Sequence, residues 1–538
     1  MDILGVSFVW YCLAISACFL PLWGRHRRLQ KHRTQNLRGP PSPSRLFGHV
    51  LQLNGADGLK YHAQILQRYG PIARVYGIFG EEQIYVSDPL AIRHIILTQQ
   101  AAFSETPLFL SLNKMMFGNA LTAVDGLEHK HERKVMNPAF SAARIKDVTP
   151  VIIAIAEELA RVIERKVCSQ GTFNVLDLLW RGAVDIVGQA GLGHSFQCLH
   201  EGMPNPYTES VKNPFPTLDK LKFVAPLLPY LSLVGIDNPF HPLFKLLPRN
   251  PVWELASMLH IIKSTGKQVL TARKAAIGED EQLDILARLL KGHTQRYNAP
   301  MASPLPDEDI TSQINLLMFA SSETTSGALA RALHQLAILP DIQSKLREEI
   351  FTCSASGVTH DNINSMLYLD AVIKETLRVY PPIVHMERVA SQDVVVPLYT
   401  PLRRTDGKET SRLVIHRNQH VVIGIANCNT DTTLWGEDAH DWNPERWMNP
   451  LPQSLLRAQV PGIYSYLMSF LGGERACIGY NLAITEMKVM LAILLRCFQF
   501  TLLAVDIDWK MGSAQYPVLD GSKDPRLLLH VTKLDLDI

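Results

Sequence analysis

Apolar residues recur along this 538-residue chain at two spacings, and the spacing changes with position. Through the middle they fall three and four apart, which predicts helices over Val151–Val167, Val175–Ala190 and Trp253–Leu270. A longer helix is predicted from about Asp307 to Leu339. Asp307, Glu308 and Asp309 suit the positive end of its dipole, and Pro340 closes it. A further helix covers about Met366–Val379 and stops at Pro381-Pro382, because proline cannot continue a helical hydrogen-bond ladder. Segments rich in β-branched and aromatic residues predict short strands at Ile72–Tyr76, Gln83–Val86, Leu413–Ile415 and His420–Ile425, with an apolar run around Leu527–Val531. The Pro-rich stretches Met203–Pro216 and Asn298–Pro306 read as surface loops. The expected fold is mainly α with small β-sheets towards both ends. No composition shift marks an internal boundary, so residues 46–538 read as one large domain.

The first residues carry a different pattern. Ile3 to Trp23 contains no charged side chain. At the rise of an α-helix this stretch reaches roughly 30 Å, the thickness of a bilayer's hydrocarbon core. Trp10, Tyr11 and Trp23 supply interfacial aromatics, and Arg25, His26, Arg27, Arg28, Lys31 and Arg33 follow at once, while only Asp2 precedes. A cleaved signal peptide would carry its basic residues on the other side. Residues 1–24 therefore read as a transmembrane anchor, with the body in the cytosol by the positive-inside rule. Residues 25–45 read as a basic, Pro-rich linker, with Arg38-Gly39-Pro40-Pro41-Ser42-Pro43 a stiff, extended strut.

Composition narrows the class. Hydrophobic residues make up 47% and charged residues 19%, which is globular. A net charge of +2 is too small for a nucleic-acid binder. The 8 cysteines are scattered without a CxxC pair, which excludes a disulfide framework and zinc-finger spacing. Cys12, Cys18, Cys168, Cys198, Cys353, Cys428 and Cys497 read as small buried hydrophobes.

Cys477 has neighbours of another kind. A thiolate needs converging backbone N–H groups and a helix N-terminus to stay ionised. Gly473 and Gly479 permit a tight loop, a helix starts near Tyr480, Arg475 adds a cation, and Phe470 is placed as an apolar shield. The run Phe470-x-x-Gly473-x-Arg475-x-Cys477-x-Gly479 resembles the signature of cytochromes P450. Glu375-Thr-Leu-Arg378 resembles that family's E-x-x-R motif, whose two side chains share a helix face. Pro444-Glu445-Arg446-Trp447 resembles its P-E-R-F/W motif, and His129-Lys-His-Glu-Arg133 its W/H-x-x-x-R helix. The resemblance covers essentially the whole chain.

It implies a P450 fold holding haem b, with Cys477 as axial ligand to the iron. It implies that Arg475, His129, Arg133 and Arg388 meet the haem propionates, and that Glu375, Arg378 and Arg446 form a buried bracing triad. Phe319-Ala320-Ser321-Ser322-Glu323-Thr324-Thr325 resembles the oxygen-side pattern A/G-G-x-D/E-T-T, which gives Glu323 and Thr324 the management of protons for O–O cleavage. Ser321 stands where the family has Gly, and Thr325 is expected to bond back to the preceding turn. By the same analogy Phe319, Ala320, Ile383, His385 and a late turn holding Val518 line an apolar substrate pocket, in which His385 orients a polar group.

The implied activity is insertion of one oxygen atom from O2 into a lipophilic, terpenoid-like small molecule, as in fungal secondary-metabolite biosynthesis. No flavin or NADPH-binding pattern is found, so electrons are expected from NADPH through a separate reductase, with cytochrome b5 as a further donor. The expected setting is the endoplasmic reticulum membrane. A haem-thiolate isomerase or dehydratase, or a non-enzymatic membrane haem-binding protein, are the alternative readings. The Glu323-Thr324 pair counts against both.

Overall fold

A computed structural model of the chain describes residues 36–200, 251–276, 284–287 and 306–534, with Tyr207, Ser210, Thr217, Lys220, Leu221 and Pro239. The predicted anchor, its basic flank and most of the two Pro-rich loops lie outside the described residues. Among the described residues no helix is long and apolar enough to cross a membrane.

In chain order the principal helices are α1 (Gly58–Tyr69), α2 (Pro107–Phe117), α3 (Gly126–Met136), α4 (Ala142–Ser169), α5 (Val175–Ile186), α6 (Pro251–Ala276), α7 (Asp307–Ile338), α8 (Pro340–Cys353), α9 (Leu367–Val379) and α10 (Tyr480–Cys497). The strands are β1 (Ile72–Tyr76), β2 (Glu82–Val86), β3 (Phe103–Ser104), β4 (Thr172–Asn174), β5 (His385–Ala390), β6 (Val394–Arg403), β7 (Glu409–Ile415), β8 (His420–Gly424), β9 (Phe498–Thr501), β10 (Ile507–Met511), β11 (Gln515–Leu519) and β12 (Leu528–Lys533). Helix α4 starts nine residues earlier than its apolar pattern and runs through Pro150, the ninth residue of the helix. The pattern around α5 passes into a π-turn at Val187–Gly191, which ends the regular helix early.

The chain forms two compact units: residues up to Ser104 with His385–Cys428, and Glu105–Val384 with Asn429–Ile538. The first unit is built on a sheet in the order β1-β2-β8-β5-β3, antiparallel except for the β2–β8 pair. Leu53, Ile65, Ala73, Val75, Tyr85 and Val422 form its core. The β6–β7 hairpin is a separate ribbon of this unit, and Asp88 accepts hydrogen bonds from the Tyr399 and Thr400 N–H groups of β6 at 3.0 Å.

The strut reading needs correction here. Residues Asn36–Leu46 lie on the first unit. The Arg38 carbonyl accepts from Arg74 N–H of β1 at 2.8 Å, and His49 bonds the Pro41 carbonyl at 3.1 Å. Gly39 presses against the Arg74 carbonyl so closely that a Cβ would overlap it. Backbone groups left unpaired on the edge strand β1 find their partners in this segment.

The second unit is helical around α7, which packs on α5, α6 and α10. Trp180, Val184, Phe196, Ile262, Ile314 and Met318 are among the buried residues of its core. Strands β4, β12 and β9 form one small sheet and β10–β11 a hairpin. The late turn expected around Val518 is instead strand β11, where Val518 is buried opposite Asp508. Of the cysteines read as buried, Cys198 and Cys428 are so, Cys353 and Cys497 are half-buried, and Cys168 is exposed. Cys168 lies in the last turn of α4, at the surface.

Candidate functional site

Glu375 and Arg378 sit one turn apart on α9 and are fully buried. The carboxylate accepts from Arg378 Nε and Nη2, both at 2.8 Å, so the pair is bidentate. Arg446 Nε approaches Glu375 Oε1 at 3.4 Å, Asn443 N–H donates to it at 2.9 Å, and the Trp447 indole N–H donates to Oε2 at 2.9 Å. The other N–H groups of Arg378 reach the carbonyls of Asn429, Ala439 and Asp441. Arg446 is further held by Asp438, with Nη2 to Oδ2 at 2.7 Å. Every charge in the cluster is met by an opposite charge or several dipoles, which is the condition for keeping ions out of water.

Asn429 carries this cluster towards the cysteine loop. Its Oδ1 accepts from Met468 N–H at 2.8 Å and its Nδ2 donates to Ser469 Oγ at 2.9 Å. Ser469 in turn donates to the Leu377 carbonyl of α9 at 2.6 Å. The next residue, Phe470, accepts the Cys477 N–H at 2.9 Å, which closes the loop. Its ring packs edge-on to Tyr464 and tilted against Tyr480. Gly473 has φ +70°, a left-handed conformation that suits glycine, while Leu471 holds φ +55° despite its side chain.

Cys477 is exposed at its side chain, yet enough protein surrounds it that burial pushes its thiol pKa up. A side chain that is both deep and accessible lines an internal space. The Gly479 N–H and the positive charge of Arg133 oppose the rise and favour the thiolate. Gly479 is the residue before α10, so the sulfur sits by a helix N-terminus. The expected reason for Gly479 is corrected: its φ of −90° suits any residue. A Cβ there would meet nothing within 4 Å, so the glycine keeps open space beside the sulfur. A sulfur by open space, with an N–H and a cation that favour its thiolate form, fits a haem-thiolate site.

Arg133 and Arg475 face protein groups. Arg133, on α3, donates to the Ala476 carbonyl next to Cys477, and burial lowers its pKa. Arg475 donates to the Val124 carbonyl and Asp125 Oδ1, both at 2.7 Å, with Glu105 at 3.6 Å. Asp125 caps α3, so Arg475 fixes the start of the helix that carries His129 and Arg133. His129 is buried on α3. Arg388 lies in the first unit, buried on β5, and donates to the Glu387 carbonyl at 2.7 Å.

On α7, most of which is buried, Ala320 is exposed and Thr324 half-buried, four residues apart on one face. Thr324 Oγ1 donates to the Ala320 carbonyl at 2.8 Å, and Ser321 Oγ to the Leu317 carbonyl at 2.5 Å. The back-bond expected of Thr325 is thus made by Thr324, while Thr325 is buried on another face. Glu323 is half-buried. Phe319 packs against Phe117 of α2, ring centroids 5.1 Å apart, and Ile383 is half-buried after α9.

His385 belongs to the first unit, where its ring lies 4.7 Å from that of His62. His62 Nε2 donates to the Leu53 carbonyl at 3.1 Å, so its Nδ1 is the acceptor for the Tyr85 hydroxyl at 2.7 Å. Burial pushes both histidines below their usual range, His62 to about 4. His385 is therefore a neutral ring packed on a second neutral ring.

Residues 38–513 match the cytochrome P450 family. The chain is 34% identical to cytochrome P450 monooxygenase 91 of Postia placenta, over 92% of this chain and 93% of that one. It is 34% identical to cytochrome P450 monooxygenase 212 of the same fungus, over 97% and 98%. It is 35% identical to a ganoderic acid synthetase of Ganoderma lucidum, over 95% and 96%. With its fold, its cysteine loop and these relatives together, the chain belongs to the cytochrome P450 family and is a monooxygenase, an oxidoreductase.

Proposed function

We propose that the protein holds haem b through Cys477 and inserts one oxygen atom of O2 into a lipophilic small molecule, with electrons from NADPH through a separate reductase and cytochrome b5. The observation that carries this is the accessible, deeply placed sulfur of Cys477, which meets the Gly479 N–H and the charge of Arg133. When bound, the haem supplies the iron at which dioxygen is activated. The chain's own residues do the rest.

Gly479 and Arg133 favour the thiolate over the thiol. The Glu375–Arg378–Arg446 cluster and Asn429 hold the loop that presents it. His129, Arg133 and Arg475, all in the second unit, are the partners proposed for the propionates, and Arg475 also sets the start of α3. The Thr324 hydroxyl donates a hydrogen bond to the Ala320 carbonyl, which leaves its lone pairs free to accept one at the exposed face of α7. Glu323, next to it, is the proposed source of protons.

Phe319, Ala320, Ile383 and Val518, all in the second unit, are the proposed apolar lining. A terpenoid-like skeleton is the favoured substrate, supported by the name of the Ganoderma relative. Residues 1–24 are the proposed anchor in the endoplasmic reticulum membrane, with residues 46–538 as one cytosolic catalytic domain.

The test is turnover of candidate terpenoids by the full-length protein, with and without NADPH and reductase, read by mass spectrometry of products. Product that needs both supports the reading. Product formed without either would favour an isomerase or dehydratase. A Cys477→Ser variant that kept the red-shifted carbon monoxide Soret band would overturn the ligand assignment.

A further inference from the structure

We infer that Gly327, Arg331 and Gln515 are positioning residues. They form a seat that fixes two lining segments relative to Thr324, and so decides which carbon of a bound lipophilic molecule is oxidised. The inference rests on the haem site and the lining proposed above. Thr324, Gly327 and Arg331 follow one another three and four residues apart, along one face of α7. Gln515 opens β11, and its side-chain oxygen accepts from Arg331 Nη2 at 3.2 Å. Its backbone carbonyl lies 3.0 Å from where a Cβ on Gly327 would stand. Gln515 also donates twice to the segment after α9. Its Nε2 reaches the Pro381 carbonyl at 2.8 Å, and its N–H the Pro382 carbonyl at 3.1 Å. One residue thus ties three elements together. Ile383 follows Pro382 directly, and Val518 lies three residues beyond Gln515 on β11.

The seat is built on a buried cation. The Arg331 guanidinium lies between two rings, 3.6 Å from the centroid of Trp509 and 3.9 Å from that of Tyr380. The Trp509 indole N–H donates to His334 Nδ1 at 3.1 Å, which fixes the plane of the ring. Burial pushes His334 down to about 4, so the imidazole is neutral and accepts that bond. Ring faces and one amide oxygen meet the charge of Arg331, while its Nε finds no acceptor among the described residues. A brace built for stability alone would give a buried charge a carboxylate, or use an apolar side chain in its place. A flat guanidinium held between two rings supplies a fixed place for Gln515 instead. Gly327 points the same way. Glycine weakens a helix interior, yet any side chain here would push on the Gln515 carbonyl.

The experiment uses the full-length, haem-loaded protein and a series of n-alkylimidazoles from butyl to dodecyl. The imidazole binds the haem iron and the chain measures the space beyond it. Affinity is read from the Soret shift at each chain length. Deuterium exchange of the Gln515 N–H, followed by peptide mass, reports the seat itself. In Arg331→Met and in Gly327→Ala the best chain length is expected to move. Affinity for the wild type's best ligand should fall about tenfold, the lower end of what one methylene is worth in an apolar pocket. Gln515 exchange should quicken in Arg331→Met, and Arg331→Lys, which keeps a cation between the rings, should restore part of both. The carbon monoxide band should hold in all three variants. An unchanged order of affinities in Gly327→Ala, with haem retained, overturns the seat even if Arg331→Met does not fold. An equal loss at every chain length, with Gln515 exchange as in the wild type, also overturns it and leaves the cluster a purely structural one. A wild type whose Soret band no alkylimidazole moves would remove the haem reading, and this inference with it.

Discussion

Arg133 donates a hydrogen bond to the carbonyl of Ala476, the residue immediately before Cys477. One side chain of α3 thus steadies the cysteine loop and places a positive charge beside the sulfur. Burial pushes the Cys477 thiol up, and Arg133 pulls it back. Arg133→Ala should raise the thiol further, so that haem binding to the apoprotein is lost at a higher pH as the pH falls. Arg133→Lys should shift that profile less. A titration of haem uptake by the apoprotein against pH, with the carbon monoxide spectrum as readout, checks both.

The Glu375 cluster makes a prediction about stability. Glu375→Ala leaves Arg378 fully buried without its charge partner, and breaking such a pair costs about 3–5 kcal/mol. Trp447→Phe removes only one N–H from the carboxylate, which has four other donors, and should cost about 1–2 kcal/mol. Urea denaturation of the two variants should rank them in that order.

Glu132 gives a pH dependence. It is buried on α3, and burial raises its pKa to about 7, against a hydrogen bond from Gln313. An acid with a raised folded pKa holds its proton more tightly in the native state. Its effect on stability is therefore fully favourable below about pH 4.5, declines as pH rises through about 7, and is then constant. Glu132→Gln should remove that decline. Thermal unfolding of the two proteins across this range would show parallel curves if the assignment were wrong.

Thr324 and Ser321 separate chemistry from helix stability. Thr324→Val keeps the shape of the side chain and loses the hydroxyl, so product formed per NADPH should fall while haem content holds. Thr324→Ser should restore most of the yield. Ser321 Oγ is already turned to the Leu317 carbonyl. Ser321→Gly should therefore change yield little and destabilise α7 by roughly 0.5–1 kcal/mol, the helix penalty of glycine. Product-to-NADPH ratios and denaturation midpoints are the two measurements.

These residues also mark where the sequence is legible. The contacts among Glu375, Arg378 and Arg446 could be read because their chemistry lies in side chains at fixed spacing. The carbonyls of Asn429, Ala439 and Asp441 that complete the Arg378 shell could not, since every residue has a carbonyl and only the fold selects one. Trp447 stood within a readable motif, but its indole bond to Glu375 did not. Helices α7 and α9 matched their expected bounds closely, because α7 opens on three acids and stops before Pro340, and α9 stops before Pro381-Pro382. The β10–β11 hairpin did not announce itself, and Val518 was read as part of a turn. Arg475 stands within a readable motif, but its bonds to Asp125 and to the Leu121 and Val124 carbonyls do not, since those groups lie far away in sequence.

The docking of Arg38 and Gly39 on Arg74 also limits reach. With Asn36 fastened to the hairpin, only residues 24–35 remain between the end of the uncharged stretch and the folded body. Fully drawn out, they span no more than roughly 45 Å. With the proposed anchor seated in a bilayer, a body on so short a leash would stay within that distance of the surface.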